Sequence, residues 1–312
     1  MHRRTVLSTL ATGAAATATM APGESRSGQA LAAHCGGAAT RVNNGAFIDS
    51  HDGTKLYWRQ WGRGAPVMFV HSWGMHSGMW DYQFAALGEH GMRCIGYDRR
   101  GHGRSEQPAS GYDYDTLADD MASVIEALDL DELTLVGHSM GAAEIVRYLT
   151  RHGEARIKRI VLLAPVLPYL TKAADNPDGV PAEMFEAWRT AWRSDFPKWV
   201  ADNAAPFFTP DISPALQQWA MEILLEIPLP VALACNRAVA ETDFRAELPR
   251  IRVPTLLLHG DKDASAPLPM TGKRVAQLIP DCQFKIYEGA PHGLMYTHMT
   301  QLHADLVQFI GL

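Results

Sequence analysis

Cysteine is scarce. The chain has four in 312 residues, Cys35, Cys94, Cys235 and Cys282, and none shows the paired spacing that holds zinc or an iron–sulfur cluster. So thin a supply excludes a disulfide-dense miniprotein. Cys94 and Cys282 lie in strand-like runs, where a buried thiol acts as a small hydrophobe; one disulfide among the four is left open. Charge is also thin, at 20% of residues, and sums to −6. No basic run stands out, so nucleic acid has no electrostatic foothold. Beyond the first residues no apolar stretch is long enough to span a bilayer. Internal repeats, low-complexity linkers and a His-Glu-x-x-His spacing are all missing, so neither metal nor cofactor is expected. What remains is 47% hydrophobic residues, ordinary globular composition for one α/β domain.

The start of the chain reads as an address. Arg3 and Arg4 precede Thr5-Val6-Leu7, an Ala/Thr-rich run continues to about Met20, and Ala30-Leu31-Ala32 fits a small-residue cleavage site. Residues 1–32 resemble a twin-arginine export signal, which implies a periplasmic or extracellular protein; a plain N-terminal extension is the alternative. Residues 33–312 then make up a single domain.

Strand-length apolar runs cover 56–61, 66–71, 93–98, 133–137, 157–164, 254–260 and 283–287. Helical spacing appears at 80–89, 116–128, 142–151, 270–278 and 302–310. This alternation calls for an α/β fold with a mostly parallel, doubly wound sheet covered on both faces. Ligands in such sheets bind along the edge formed by the strand C-termini. From about 165 to 250 the alternation stops. That stretch carries Trp188, Trp192, Trp199, Trp219, Phe207 and Phe208, with prolines between helical patterns. It is expected to be an inserted helical cap over the strand edge, most of its aromatics joining cap to core.

Leu133-Thr134-Leu135-Val136 runs into Gly137-His138-Ser139-Met140-Gly141, and Ala142-Ala143-Glu144-Ile145-Val146 opens a helix. Strand, sharp turn and helix place Ser139 at an apex, with flanking glycines that let backbones approach. The helix N-terminus then aims free N–H groups at developing negative charge. A serine needs a base, and the base an orienting acid. Gly260-Asp261-Lys262-Asp263 and Gly289-Ala290-Pro291-His292-Gly293 follow the last two strands, in the chain order serine, acid, histidine. Asp263 is the expected acid and His292 the expected base, with Asp261 shaping its turn. The oxyanion donors are expected to be the N–H groups of Met140 and, in the loop His71-Ser72-Trp73-Gly74, of Trp73.

These residues resemble the α/β-hydrolase fold superfamily, and within it the cofactor-free haloperoxidase, perhydrolase and arylesterase group. The likeness spans roughly residues 44–312 and is densest over 70–165. It includes Met79-Trp80-Asp81-Tyr82-Gln83, Tyr97-Asp98-Arg99-Arg100-Gly101-His102-Gly103-Arg104-Ser105 and Gly111-Tyr112-Asp113-Tyr114-Asp115-Thr116. The resemblance implies the same Ser139, Asp263 and His292 triad. Three positions depart from that group: Ser72 stands where glycine is usual, Gly74 where peracid-forming members carry proline, and His138 where phenylalanine is frequent. All three favour ordinary ester or lactone hydrolysis.

The expected activity is therefore hydrolysis of small to medium hydrophobic acyl or aryl esters, or lactones, through an acyl-enzyme. Perhydrolase or haloperoxidase chemistry on the same triad is one alternative, and a non-catalytic small-molecule sensor is another. Substrate contacts are expected from His71, His138, Trp188, Trp192 and Leu167. His71, His76, His138 and His259 are read as loop-shaping rather than metal-binding. His298 and His303 are expected on an exposed helix face, Asp119-Asp120 on a solvated one, and Asp98, Arg99, Arg100 and Arg104 in ion pairs at the turn after the predicted strand 93–98.

Overall fold

The structure is a computed structural model that describes residues 46–311, all within one compact unit. The export pattern of residues 1–32, the boundary at 33 and Cys35 lie outside the described residues.

Eight strands form one sheet: β1 (Ala46–Asp49), β2 (Lys55–Trp61), β3 (Ala65–Val70), β4 (Met92–Tyr97), β5 (Leu133–His138), β6 (Ile157–Leu163), β7 (Thr255–Gly260) and β8 (Cys282–Tyr287). Their spatial order is β1-β2-β4-β3-β5-β6-β7-β8. β2 pairs antiparallel with β1 and β4, and every neighbouring pair from β4 to β8 is parallel. Parallel neighbours need crossovers, which α1 (Asp81–Glu89), α2 (Tyr114–Ala127) and α3 (Met140–His152) supply early in the chain. The sequence reading misses β1, a four-residue edge strand too short to carry a period.

Successive strand residues face opposite sides, so a sheet covered on both faces needs apolar residues at every position. Met68, Val70, Leu133, Leu135, Ile160, Leu162 and Leu257 join the core beneath α2 and α3. Val67, Phe69, Val136, Val161, Leu163, Leu256 and Leu258 join a second core with α1 and the C-terminal helix. After β6 the chain leaves the sheet for the cap, whose helices are α4 (Ala182–Asn203), α5 (Pro214–Leu225) and α6 (Leu229–Glu241). Asp195 breaks α4 (φ −160°, ψ 88°), and its carboxylate accepts the Lys198 N–H at 2.9 Å, capping the segment that carries Pro197 in its first turn. Return to the sheet through β7 and β8 brings α7 (Gly272–Leu278), α8 (Leu294–Thr297) and α9 (Met299–Ile310).

Several side-chain expectations are corrected. Asp120 is buried rather than solvated, because Arg100 donates to both its oxygens at 2.6 Å across a turn the sequence does not join to it. Of the charges after β4, Arg99 and Arg100 form ion pairs. Asp98 instead accepts the backbone N–H groups of Ser77 (2.8 Å) and Arg104 (2.9 Å), and the Arg104 side chain donates to Tyr57 Oη at 2.6 Å. His298 and His303 are half-buried, His303 lying beside Gln83. Cys94, Cys235 and Cys282 are free thiols. Among the described residues no single helix is long and apolar enough to cross a membrane.

Candidate active site

Ser139 is the hinge between β5 and α3, with φ 56° and ψ −114°. A non-glycine residue there costs roughly 1–3 kcal/mol and persists only where its surroundings enforce it. The flanking glycines are part of that enforcement. A Cβ on Gly137 would lie 2.6 Å from Gly141 O, and one on Gly141 would collide with the Val70 and His71 carbonyls. The Ser139 N–H is held by Leu163 O at 2.9 Å, which ties the turn to β6.

The turns after β7 and β8 are interlocked. Asp261 Oδ1 accepts the Gly289 N–H at 2.7 Å, and Lys262 N donates to Ala290 O at 3.0 Å. Asp261 thus does shape the turn. This brings Asp263 Oδ2 within 2.7 Å of His292 Nδ1. His259, at the end of β7, is a second imidazole on that oxygen, 3.1 Å away, and its Nε2 also donates to Ala266 O at 2.8 Å. The other carboxylate oxygen accepts the N–H groups of Ser265 (2.9 Å) and Ala266 (2.7 Å). Burial alone would push the Asp263 carboxyl up; the charge of His292 and the bonds from His259 and His292 outweigh it and hold the group well below the usual carboxylate range. With Nδ1–H donated to Asp263, the lone pair of the neutral His292 ring lies on Nε2. His292 and Ser139 line the same cavity. The Ser139 hydroxyl makes no hydrogen bond to the described residues; nucleophile–base contacts of this kind tighten when substrate binds.

That cavity measures about 390 Å³ and is walled mainly by apolar side chains. Trp73 and Met140 line it together with Ser139. Neither of their N–H groups donates to a protein acceptor among the described residues, which leaves both free for an oxyanion. The Trp73 indole packs on Trp192 with ring centroids 4.8 Å apart, and its Nε1 donates to Ala232 O of α6 at 3.0 Å. Across the cavity Phe207 lies edge-on to His292 at 5.7 Å, and its carbonyl accepts the Gly293 N–H at 3.0 Å. The cap is therefore fastened to both loops that would carry the chemistry.

Among the expected substrate contacts, Trp188 and Trp192 line the cavity, whereas His71, His138 and Leu167 do not. His138 lies beneath His292, ring centroids 4.6 Å apart, and donates from Nε2 to the His292 carbonyl at 2.9 Å. Burial, then the charge of His292, hold its pKa well below 6.5, so the ring is neutral. Leu167 is turned into the core, and its neighbour Val166 faces the cavity instead. His71 is consumed by backbone hydrogen bonds. His76 likewise accepts the Gly78 N–H at 3.0 Å. The sequence reading assigns no site role to Phe207, Phe208 or Trp199, which line the cavity; their aromatic character was the available signal. Among the described residues no group of three or more His, Cys, Asp or Glu is disposed to hold a metal ion.

Comparison with known proteins shows what the chain is similar to. Residues 65–299 match the alpha/beta hydrolase fold family. The chain is 37% identical over 273 residues to a non-heme chloroperoxidase of Kitasatospora aureofaciens, covering 84% of this chain and 98% of the relative. It is 33% identical over 273 residues to a bifunctional esterase/perhydrolase of Acinetobacter calcoaceticus, covering 85% and 99%. The structure of an esterase from Exiguobacterium antarcticum superposes with a TM-score of 0.83 at 32% identity, covering 86% of this chain and 100% of that one.

Proposed function

The chain belongs to the alpha/beta hydrolase fold family, and from that premise we propose that it hydrolyses carboxylic esters through an acyl-enzyme on Ser139. The observation that carries this reading is the 2.7 Å contact of His292 Nδ1 with Asp263, in a residue that opens with Ser139 onto one apolar cavity. His292 Nε2 takes the Ser139 proton as Oγ attacks the ester carbonyl. Asp263, kept anionic by its four donors, holds the imidazole tautomer and offsets the imidazolium. The oxyanion is received by the N–H groups of Trp73 and Met140. The leaving alkoxide takes the proton from His292, and a water deprotonated by the same nitrogen then releases the acid. A cavity of about 390 Å³ with an aromatic wall suits small to medium hydrophobic acyl or aryl esters and lactones.

Peracid formation, with peroxide in place of water at the second step, is the second reading. The chloroperoxidase and perhydrolase relatives favour it. Gly74 weighs against it: its φ is +75°, and a Cβ there would strike Leu224 of the cap. Proline, locked near −65°, could not adopt this loop, so the loop differs from the proline-bearing one of peracid-forming members. A sensor without turnover would need no anionic Asp263 bonded to His292.

The test is hydrolysis of a p-nitrophenyl ester and lactone panel beside dye halogenation with acetate and peroxide. Ser139→Ala, folded by circular dichroism, is expected to lose roughly a millionfold in turnover. Retained ester turnover in that variant would falsify the assignment.

A further inference from the structure

The loop carrying the Trp73 donor rests on a buried ion pair that the reaction above does not use. Arg99, after β4, and Glu144, in the second turn of α3, both have 0% side-chain exposure, and Arg99 Nε donates to Glu144 Oε2 at 2.6 Å. Tyr97 Oη donates to the other carboxylate oxygen. The remaining guanidinium nitrogens serve the oxyanion loop: Nη2 donates to His71 O at 2.9 Å and Nη1 to Ser72 O at 3.4 Å. His71 completes the arrangement. Its Nε2 accepts the Arg99 backbone N–H at 2.9 Å, an amide that can only donate, so the ring proton sits on Nδ1 and is donated to Ser72 O at 2.8 Å. Burial, followed by the Arg99 charge, keeps this ring neutral.

A trans peptide is planar, with its C=O and N–H pointing opposite ways. Drawing the Ser72 C=O inward to Arg99 and His71 therefore turns the Trp73 N–H outward, and Ser72 and Trp73 both line the cavity. We propose that Arg99, held by Glu144 and acting with neutral His71, positions the Ser72–Trp73 peptide so that its N–H receives the oxyanion. The inference rests on the ester-hydrolase reading. Buried ion pairs often contribute no more stability than apolar side chains of the same size. A guanidinium, however, can grip one carboxylate and two carbonyls at fixed angles.

Arg99→Lys keeps the charge opposite Glu144 but loses the fork. Glu144→Gln keeps the volume and one oxygen for Arg99 Nε while turning an amide N–H toward Tyr97 Oη, and serves if the lysine variant fails to fold. Both are measured for kcat and KM on p-nitrophenyl acetate, and for affinity toward phenylboronic acid, which forms a tetrahedral adduct on Ser139. Removing an oxyanion donor outright lowers turnover by roughly a hundred- to a thousandfold, so a misaimed one in Arg99→Lys is expected to lower kcat roughly ten- to a hundredfold. KM should change little, and boronate affinity should fall by the factor seen in kcat/KM. Glu144→Gln is expected to move both in the same direction, by less. A lower melting temperature with boronate affinity at the wild-type level would overturn the inference, whatever the turnover. If the wild type hydrolyses no ester yet binds boronate through Ser139, and Arg99→Lys weakens that binding, the ester reading fails and the positioning role stands.

Discussion

Asp263 sits at the convergence of four donors, two of them imidazoles and two backbone amides. Replacing it with Asn keeps the shape but permits the wrong His292 tautomer, and is expected to lower kcat about ten-thousand-fold in a folded protein. Three other histidines, His71, His102 and His138, are fully buried and neutral, with burial pushing each pKa down from 6.5, His102 to about 3. A group whose folded pKa lies below its unfolded one binds more protons when unfolded. Its stabilising contribution is complete above about pH 6.5 and is lost as pH falls through the window toward 3. The urea midpoint is therefore expected to fall steadily below about pH 6.5, and His102→Gln should flatten that slope. Residues of this kind mark where sequence reading stops. Ser139, Asp263 and His292 are legible because glycine- and proline-flanked turns at strand ends leave their side chains few other uses. That His71 and His138 turn away from the cavity depends on backbone partners from outside the local motif, the Arg99 N–H for His71 and the His292 carbonyl for His138.

At the scale of elements, the strands and the helices packed on them were legible because both sheet faces are buried and apolar runs are continuous. The cap was legible only as an interruption. Its packing follows from the break at Asp195, from the contact of Trp192 with Trp199 across that break, and from the contact of Trp192 with Trp73, far away in the chain. Those contacts have consequences, since α4 and α6 clamp the Trp73 indole while Phe207 holds the Gly293 amide. Trp192→Ala removes the 4.8 Å contact with Trp73 together with edge contacts to Phe196 and Trp199. A truncation of this size costs roughly 3–5 kcal/mol, which should appear as a lower urea midpoint. The same variant should lose kcat with p-nitrophenyl esters, because the oxyanion loop loses its packing partner. Unchanged kcat at reduced stability would show that the loop holds its shape without the cap.

For the molecule as a whole, the twin arginines at Arg3 and Arg4 support a proposal of export. Lysine at both positions is expected to keep the protein in the cytoplasm, read by fractionation of cells expressing the full chain. An unchanged extracytoplasmic fraction would remove the proposal. Trp73, Trp188, Trp192 and Trp199, half of the chain's eight tryptophans, wall the cavity. Indole emission follows the polarity of its surroundings. An acyl group that displaces water from among these four rings shifts their fluorescence, so the protein carries its own optical gauge of occupancy and needs no attached dye.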